Sequence, residues 1–90
     1  MVAYALELYL PGADARALDD LVRLVQQACR ELRSGRERIR YLNALLLPDD
    51  ETAFLLFEAT TPDALRHIVG RAGLRGERLH PAVVPSEQQA

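Results

Sequence analysis

The chain contains no lysine: all 11 of its basic residues are arginine. That absence excludes a phosphate-loop lysine, a Schiff-base lysine and an amine nucleophile. A single cysteine, Cys29, excludes an intrachain disulfide and a thiolate cluster. No window approaches the ~20 consecutive apolar residues that cross a bilayer. The first ten residues have no basic segment and include Glu7, so they do not read as a signal peptide. The expected compartment is the cytoplasm, which suits a lone reduced thiol. No phosphate loop, dinucleotide fingerprint, zinc-cluster spacing or nucleophile elbow occurs.

What remains is an ordinary globular balance. The 90 residues are 49% hydrophobic and 27% charged, with a formal net charge of -2. That length makes one domain, able to bury roughly 60–65% of the surface its unfolded chain exposes. Residues 1–85 read as that domain and Ser86–Ala90 as a polar tail.

Hydrophobic periodicity orders the elements. Val2–Leu10 alternates as a strand, with Val2, Tyr4, Leu6, Leu8 and Leu10 on one side and Ala3, Ala5, Glu7 and Tyr9 on the other. Pro11-Gly12 ends it, and Asp14 is a helix N-cap. Leu18, Leu21, Val22, Val25, Cys29 and Leu32 then fall on one helical face, which Ser34-Gly35 terminates. Ile39–Leu47 reads as a strand buried on both faces. Pro48–Glu51 is a turn, and Thr52–Ala59 is the returning strand of a hairpin. Thr60 or Thr61 before Pro62 starts a second helix, with Ala64, Leu65, Ile68, Val69 and Ala72 buried and Gly73 as C-cap. Glu77–Pro85 is a last strand, and Pro81 and Pro85 place it at an edge or make it irregular.

The order β-α-β-β-α-β implies an α+β, ferredoxin-like fold: a four-stranded antiparallel sheet with two helices on one face. The other face is left bare in a monomer. Tyr9, Leu45 and Leu47 share one strand parity and Leu8, Leu42 and Leu46 the other, so both faces are apolar. An exposed patch of that kind is unusual for a monomer, and the expected cover is a second copy in a two-fold dimer.

Several polar residues are candidates for a site. Glu7 interrupts an apolar strand and shares its parity with Tyr9, aiming a carboxylate at the bare face, where burial demands a partner. Asn43 is the one polar side chain between Tyr41 and Leu47 and, by simple alternation, shares a face with Tyr41 and Leu45; a buried amide needs hydrogen-bond partners. His80 precedes Pro81 in the last strand and has a metal ligand's chemistry. His67 lies opposite the second helix's apolar stripe and reads as surface. Cys29 lies on a buried helix face and reads as a small hydrophobe. Arg30, Arg33, Arg36, Arg38 and Arg40 crowd the end of the first helix. Glu31 and Glu37 interleave with them, the chain is acidic overall, and Thr52–Ala59 lacks the basic-glycine-aromatic signature of an RNA-binding sheet, so nucleic acid is not an expected partner.

The stretches Tyr4-Ala5-Leu6-Glu7, Ile39-Arg40-Tyr41-Leu42-Asn43-Ala44, Phe54-Leu55-Leu56-Phe57-Glu58-Ala59, Thr61-Pro62-Asp63-Ala64-Leu65-Arg66 and Ala72-Gly73-Leu74 resemble the small bacterial nickel-binding, ferredoxin-like proteins. The resemblance covers nearly the whole chain and implies a dimeric ferredoxin-like fold with nickel bound in some members. Glu7 matches the first-strand glutamate of that family. Its aromatic-x-histidine pattern on the second strand falls on Tyr41 and Asn43, and its third-strand cysteine on Leu55. An amide and an aliphatic chain are poor ligands for a nickel-type ion.

Three functions follow as expectations. The leading one is a small cytoplasmic ligand- or metal-binding accessory protein. Glu7, Tyr9, Tyr41 and Asn43 would line its cavity, and Glu7 and His80 are the candidate metal ligands. The second is a small dimeric α+β barrel enzyme of the cofactor-free monooxygenase or cyclase type, with Glu7 or His80 as general acid or base. The third is a structural module whose sheet face docks another protein.

Overall fold

The computed structural model describes residues 2–32, 38–74 and 78–85. Alternating apolar residues build β1 (Val2–Tyr9), and Pro11-Gly12 turns the chain, with Gly12 at φ 69°. The Asp14 side chain accepts from the Ala17 N–H at 2.9 Å and so caps α1 (Ala15–Leu32). β2 (Ile39–Leu47) and β3 (Thr52–Ala59) form the hairpin, joined through a single 3-10 turn at Pro48–Asp50. α2 (Pro62–Ala72) opens on Thr61, whose side chain accepts from Ala64 N–H, and closes on Gly73 in the left-handed region at φ 70°. β4 (Arg78–Ala82) completes the order. The sequence-based helix stop at Ser34-Gly35, the strand start at Glu77 and the tail from Ser86 lie outside the described residues.

The strands form one antiparallel sheet in the order β2-β3-β1-β4. With both helices on one side, this is the ferredoxin-like arrangement. The covered side carries Leu6 and Leu8 of β1 against Leu55 and Ala53 of β3. Val25 and Cys29 of α1 and Leu65 and Ile68 of α2 close over them, all at most 2% exposed. Burial of each large aliphatic or aromatic side chain contributes about 1.5–3 kcal/mol, so this thin layer is the main source of stability. Among the described residues, no helix is long and apolar enough to cross a membrane.

One irregularity matters for the site. The β2–β3 register runs Tyr41 against Phe57, then Asn43 against Leu56, so Leu42 is an extra residue bulged out of the ladder. Simple alternation puts Tyr41 and Asn43 on one face; the bulge puts them on opposite faces. Tyr41 packs against the core and meets Phe57 edge-on, with ring centroids 6.1 Å apart. Asn43 goes to the open face with Leu45 and Leu47. β2 is an edge strand, and Leu45 and Leu47 are 46% and 42% exposed, so it is not buried on both faces within this chain.

Candidate functional site: the open face of the sheet

The face without helices is built from alternate residues of the same strands. β1 contributes Ala3, Ala5, Glu7 and Tyr9; β3 contributes Thr52, Phe54, Leu56 and Glu58 beside them. β4 adds Arg78, His80 and Ala82, and β2 adds Arg40, Asn43, Leu45 and Leu47. Its middle is apolar and its charges stand in two places.

The first is Glu7, in contact with His80. His80 lies directly across from Ala5 and Arg78 directly across from Glu7, so the pair is diagonal on adjacent strands. His80 Nε2 lies 2.8 Å from Glu7 Oε1, and the side chains are 44% and 30% exposed. An ionised carboxylate only accepts, so Nε2 carries the proton and donates it to Glu7. The partner that a carboxylate in an apolar strand requires is therefore the histidine singled out separately in the sequence. Nδ1 is the ring atom left to bind something else.

The second is Glu58 with Arg40, near the β2 edge. Glu58 is 7% exposed, and the Arg40 Nη1 stands 3.8 Å from its Oε1. Glu58 was not singled out from the sequence; its position in an apolar strand on the parity of Phe54 and Leu56 was the available signal.

Tyr9 lies at the end of the open face, 63% exposed, and is tied to the β2–β3 turn. Its hydroxyl donates to Glu51 Oε1 at 3.2 Å, while Gly12 N–H donates to Glu51 Oε2 at 3.1 Å. The Glu51 charge, and then the hydrogen bond to it, raise the Tyr9 phenol above its ordinary value. Glu51 holds a left-handed backbone at φ 52°, and its carbonyl accepts from Leu10 N–H at 2.7 Å. Nothing in the residue type signals this clamp.

The remaining candidates are placed as follows. Asn43 is exposed, and its side-chain oxygen accepts from the N–H of Ala44 at 2.9 Å, so the amide serves the bulge locally. Tyr41 lies on the covered side, away from Glu7, and burial raises its phenol. Leu55, where the resemblance has a cysteine, is fully buried on that same side. Cys29 is buried as expected and His67 is exposed. Thus Glu7, Tyr9, Asn43 and His80 share the open face, Glu7 and His80 touch, and Tyr41 is not part of it. Among the described residues no three of His, Cys, Asp or Glu gather as a metal site.

On the covered side, a groove of about 400 Å³ runs between α2 and the β1–β4 edge, lined by Leu6, Leu65, Arg66, Val69, Gly70 and Leu79. It contains neither Glu7 nor His80.

No family model matches the chain, and no curated protein matches its sequence. Among solved structures it is similar to SCO4226 from Streptomyces coelicolor A3(2), with a TM-score of 0.77 at 14% identity, covering 92% of this chain and 98% of that one. At that identity the likeness shows the shared fold.

Proposed function

We propose that the chain is a small cytoplasmic metal-binding accessory module of the nickel-binding, ferredoxin-like kind, acting as a two-fold dimer joined through its open sheet face. The observation that carries this reading is the 2.8 Å contact between Glu7 and His80 on a face that is otherwise largely apolar. A metal-ligating histidine almost always donates its second ring N–H to a carboxylate or another acceptor, which fixes the ring and its tautomer. Glu7 holds His80 in that manner and leaves Nδ1 as the coordinating atom. Imidazole nitrogen suits nickel-type ions.

One imidazole is an incomplete site, and a second copy across the open face supplies another Glu7–His80 pair. The exposed Leu45, Leu47 and Tyr9 support such a cover. A two-fold interface also repeats each of these side-chain pairs, which suits a face with an apolar middle.

A general-base role for Glu7 or His80 calls for a cavity that contains them. Among the described residues, the groove on the other side of the sheet has no imidazole or carboxylate in its lining, so the enzyme reading lacks that support.

Nickel(II) titration of the untagged chain, followed by calorimetry, tests the metal. Binding that is lost in His80→Ala and weakened in Glu7→Ala is the expected result. No heat with nickel, or binding unchanged in both variants, overturns it. A monomer mass by light scattering at micromolar concentration overturns the dimer.

A further inference from the structure

The groove on the helix-covered side stands apart from the Glu7–His80 site and has a chemistry of its own. Leu6 and Leu79, paired neighbours on β1 and β4, form its floor, and Leu65, Arg66, Val69 and Gly70 of α2 form its wall. Its volume of about 400 Å³ lies within the ~300–1,000 Å³ typical of small-molecule sites. Among the described residues that line it, four are aliphatic, none is acidic, and one is a cation.

Gly70 is the member without a structural reason. Glycine weakens a helix relative to alanine, and its usual justifications are a positive φ or a close neighbour. Among the described residues the positive-φ glycines are Gly12 and Gly73, and a Cβ at Gly70 would meet nothing within 4 Å. What the missing side chain does is leave the groove wall bare.

Arg66 stands one turn before Gly70 on the same wall. Its Nη1 meets Asp63 Oδ1 at 2.6 Å, and the side chains are 68% and 70% exposed. An ion pair so exposed contributes little and yields to a competing anion. The contact uses one N–H of a planar group with five, whose fork geometry matches the two oxygens of a carboxylate.

We propose that this groove binds a small amphiphilic carboxylate. The apolar body lies on Leu6, Leu79, Leu65 and Val69 in the space left by Gly70, and the carboxylate pairs with Arg66.

The test is titration of the isotope-labelled full chain with decanoate and with decylammonium, followed by amide chemical shifts. Saturable shifts at Leu6, Leu65, Val69, Gly70 and Leu79 are expected with decanoate, and about tenfold weaker binding with decylammonium. Gly70→Leu narrows the groove and weakens both ligands. Arg66→Gln, at an exposed position that leaves the fold intact, weakens decanoate by about tenfold and spares decylammonium. Should Gly70→Leu fail to fold, Arg66→Gln decides alone. The proposal is overturned by absence of saturable shifts, by equal affinity for the two ligands, or by unchanged decanoate binding in Arg66→Gln. Shifts at Ala5, Phe54 and Leu56 instead would put the alkyl chain on the open face and also overturn it.

Discussion

On β1 and β3, successive residues divide between two faces of unequal finish. Leu6, Leu55 and Phe57 on the covered face are 2%, 0% and 0% exposed, while Tyr9 on the open face is 63% exposed. The covered face carries the core and the groove beside Gly70; the open face carries the Glu7–His80 contact and the Arg40–Glu58 ion pair. Apolar content does not separate them, since Phe54, Leu56, Leu45 and Leu47 are as hydrophobic as their counterparts. Coverage separates them. One face is covered by this chain's own helices, and the other is not. Substitutions in the buried layer of the first face and on the second should therefore be read by different instruments: unfolding for the first, assembly and metal binding for the second.

Removing a ring from each face sharpens this contrast most. Phe57→Ala should cost about 3–5 kcal/mol in urea unfolding, because it opens a cavity in a closed layer. Phe54→Ala, measured on dilute protein, should cost less than half as much; equal losses would break the contrast. At the rim where the faces meet, Glu51→Ala removes the acceptor for Tyr9 O–H and Gly12 N–H and should lower stability by less than Phe57→Ala does. Glu51→Gly should lose less than Glu51→Ala, since glycine adopts the left-handed backbone without strain. On α2, Gly70→Ala should raise stability by about 0.4–1 kcal/mol, as its added Cβ meets open space.

Charge placed on the open face should act in the opposite sense. Leu45→Asp with Leu47→Asp should change unfolding of dilute protein by less than ~0.5 kcal/mol. The same double variant should shift sedimentation toward the monomer.

The smallest effect separates the two tyrosines. Both phenols are raised above 10.0, Tyr9 mainly by the charge of Glu51 and Tyr41 by burial. Added salt screens an exposed charge but not burial. Ultraviolet titration in high salt should therefore bring Tyr9 back toward its ordinary value and leave Tyr41 raised. A phenol raised in the folded state binds its proton more tightly there than in the unfolded chain. The associated stability is present below pH 10 and is lost as pH climbs through the raised value. Tyr41→Phe should flatten that alkaline loss.

Element order, the Asp14 cap, a threonine cap before Pro62 (Thr60 or Thr61), the Gly73 stop and the parity of β1 were all legible because each rests on local chemistry: a side-chain acceptor, a left-handed glycine, a period of two. Glu7 and His80 were each legible as chemistry but not as a pair. They lie 73 positions apart and meet because β1 and β4 are adjacent, which no local pattern encodes. Tyr41 was misplaced for the reverse reason. Its residue type and spacing fit the open face, and one unsignalled bulge turned it inward. Glu51, Glu58 and the groove at Gly70 depend on tertiary neighbours and carried almost no local mark.

The bulge at Leu42 bears on how this chain is compared with others. Tyr41 pairs with Phe57 and Asn43 with Leu56, so deletion of Leu42 would leave both pairings, and every later residue of β2, where they are. The strand behaves as one of ordinary length that has accepted a single insertion. An alignment that counts residues through β2 without a gap there carries an aromatic-x-histidine pattern onto two positions on opposite sides of the sheet. Positions on the two sides of Leu42 correspond to those of an unbulged relative only when each half of the strand is aligned by itself.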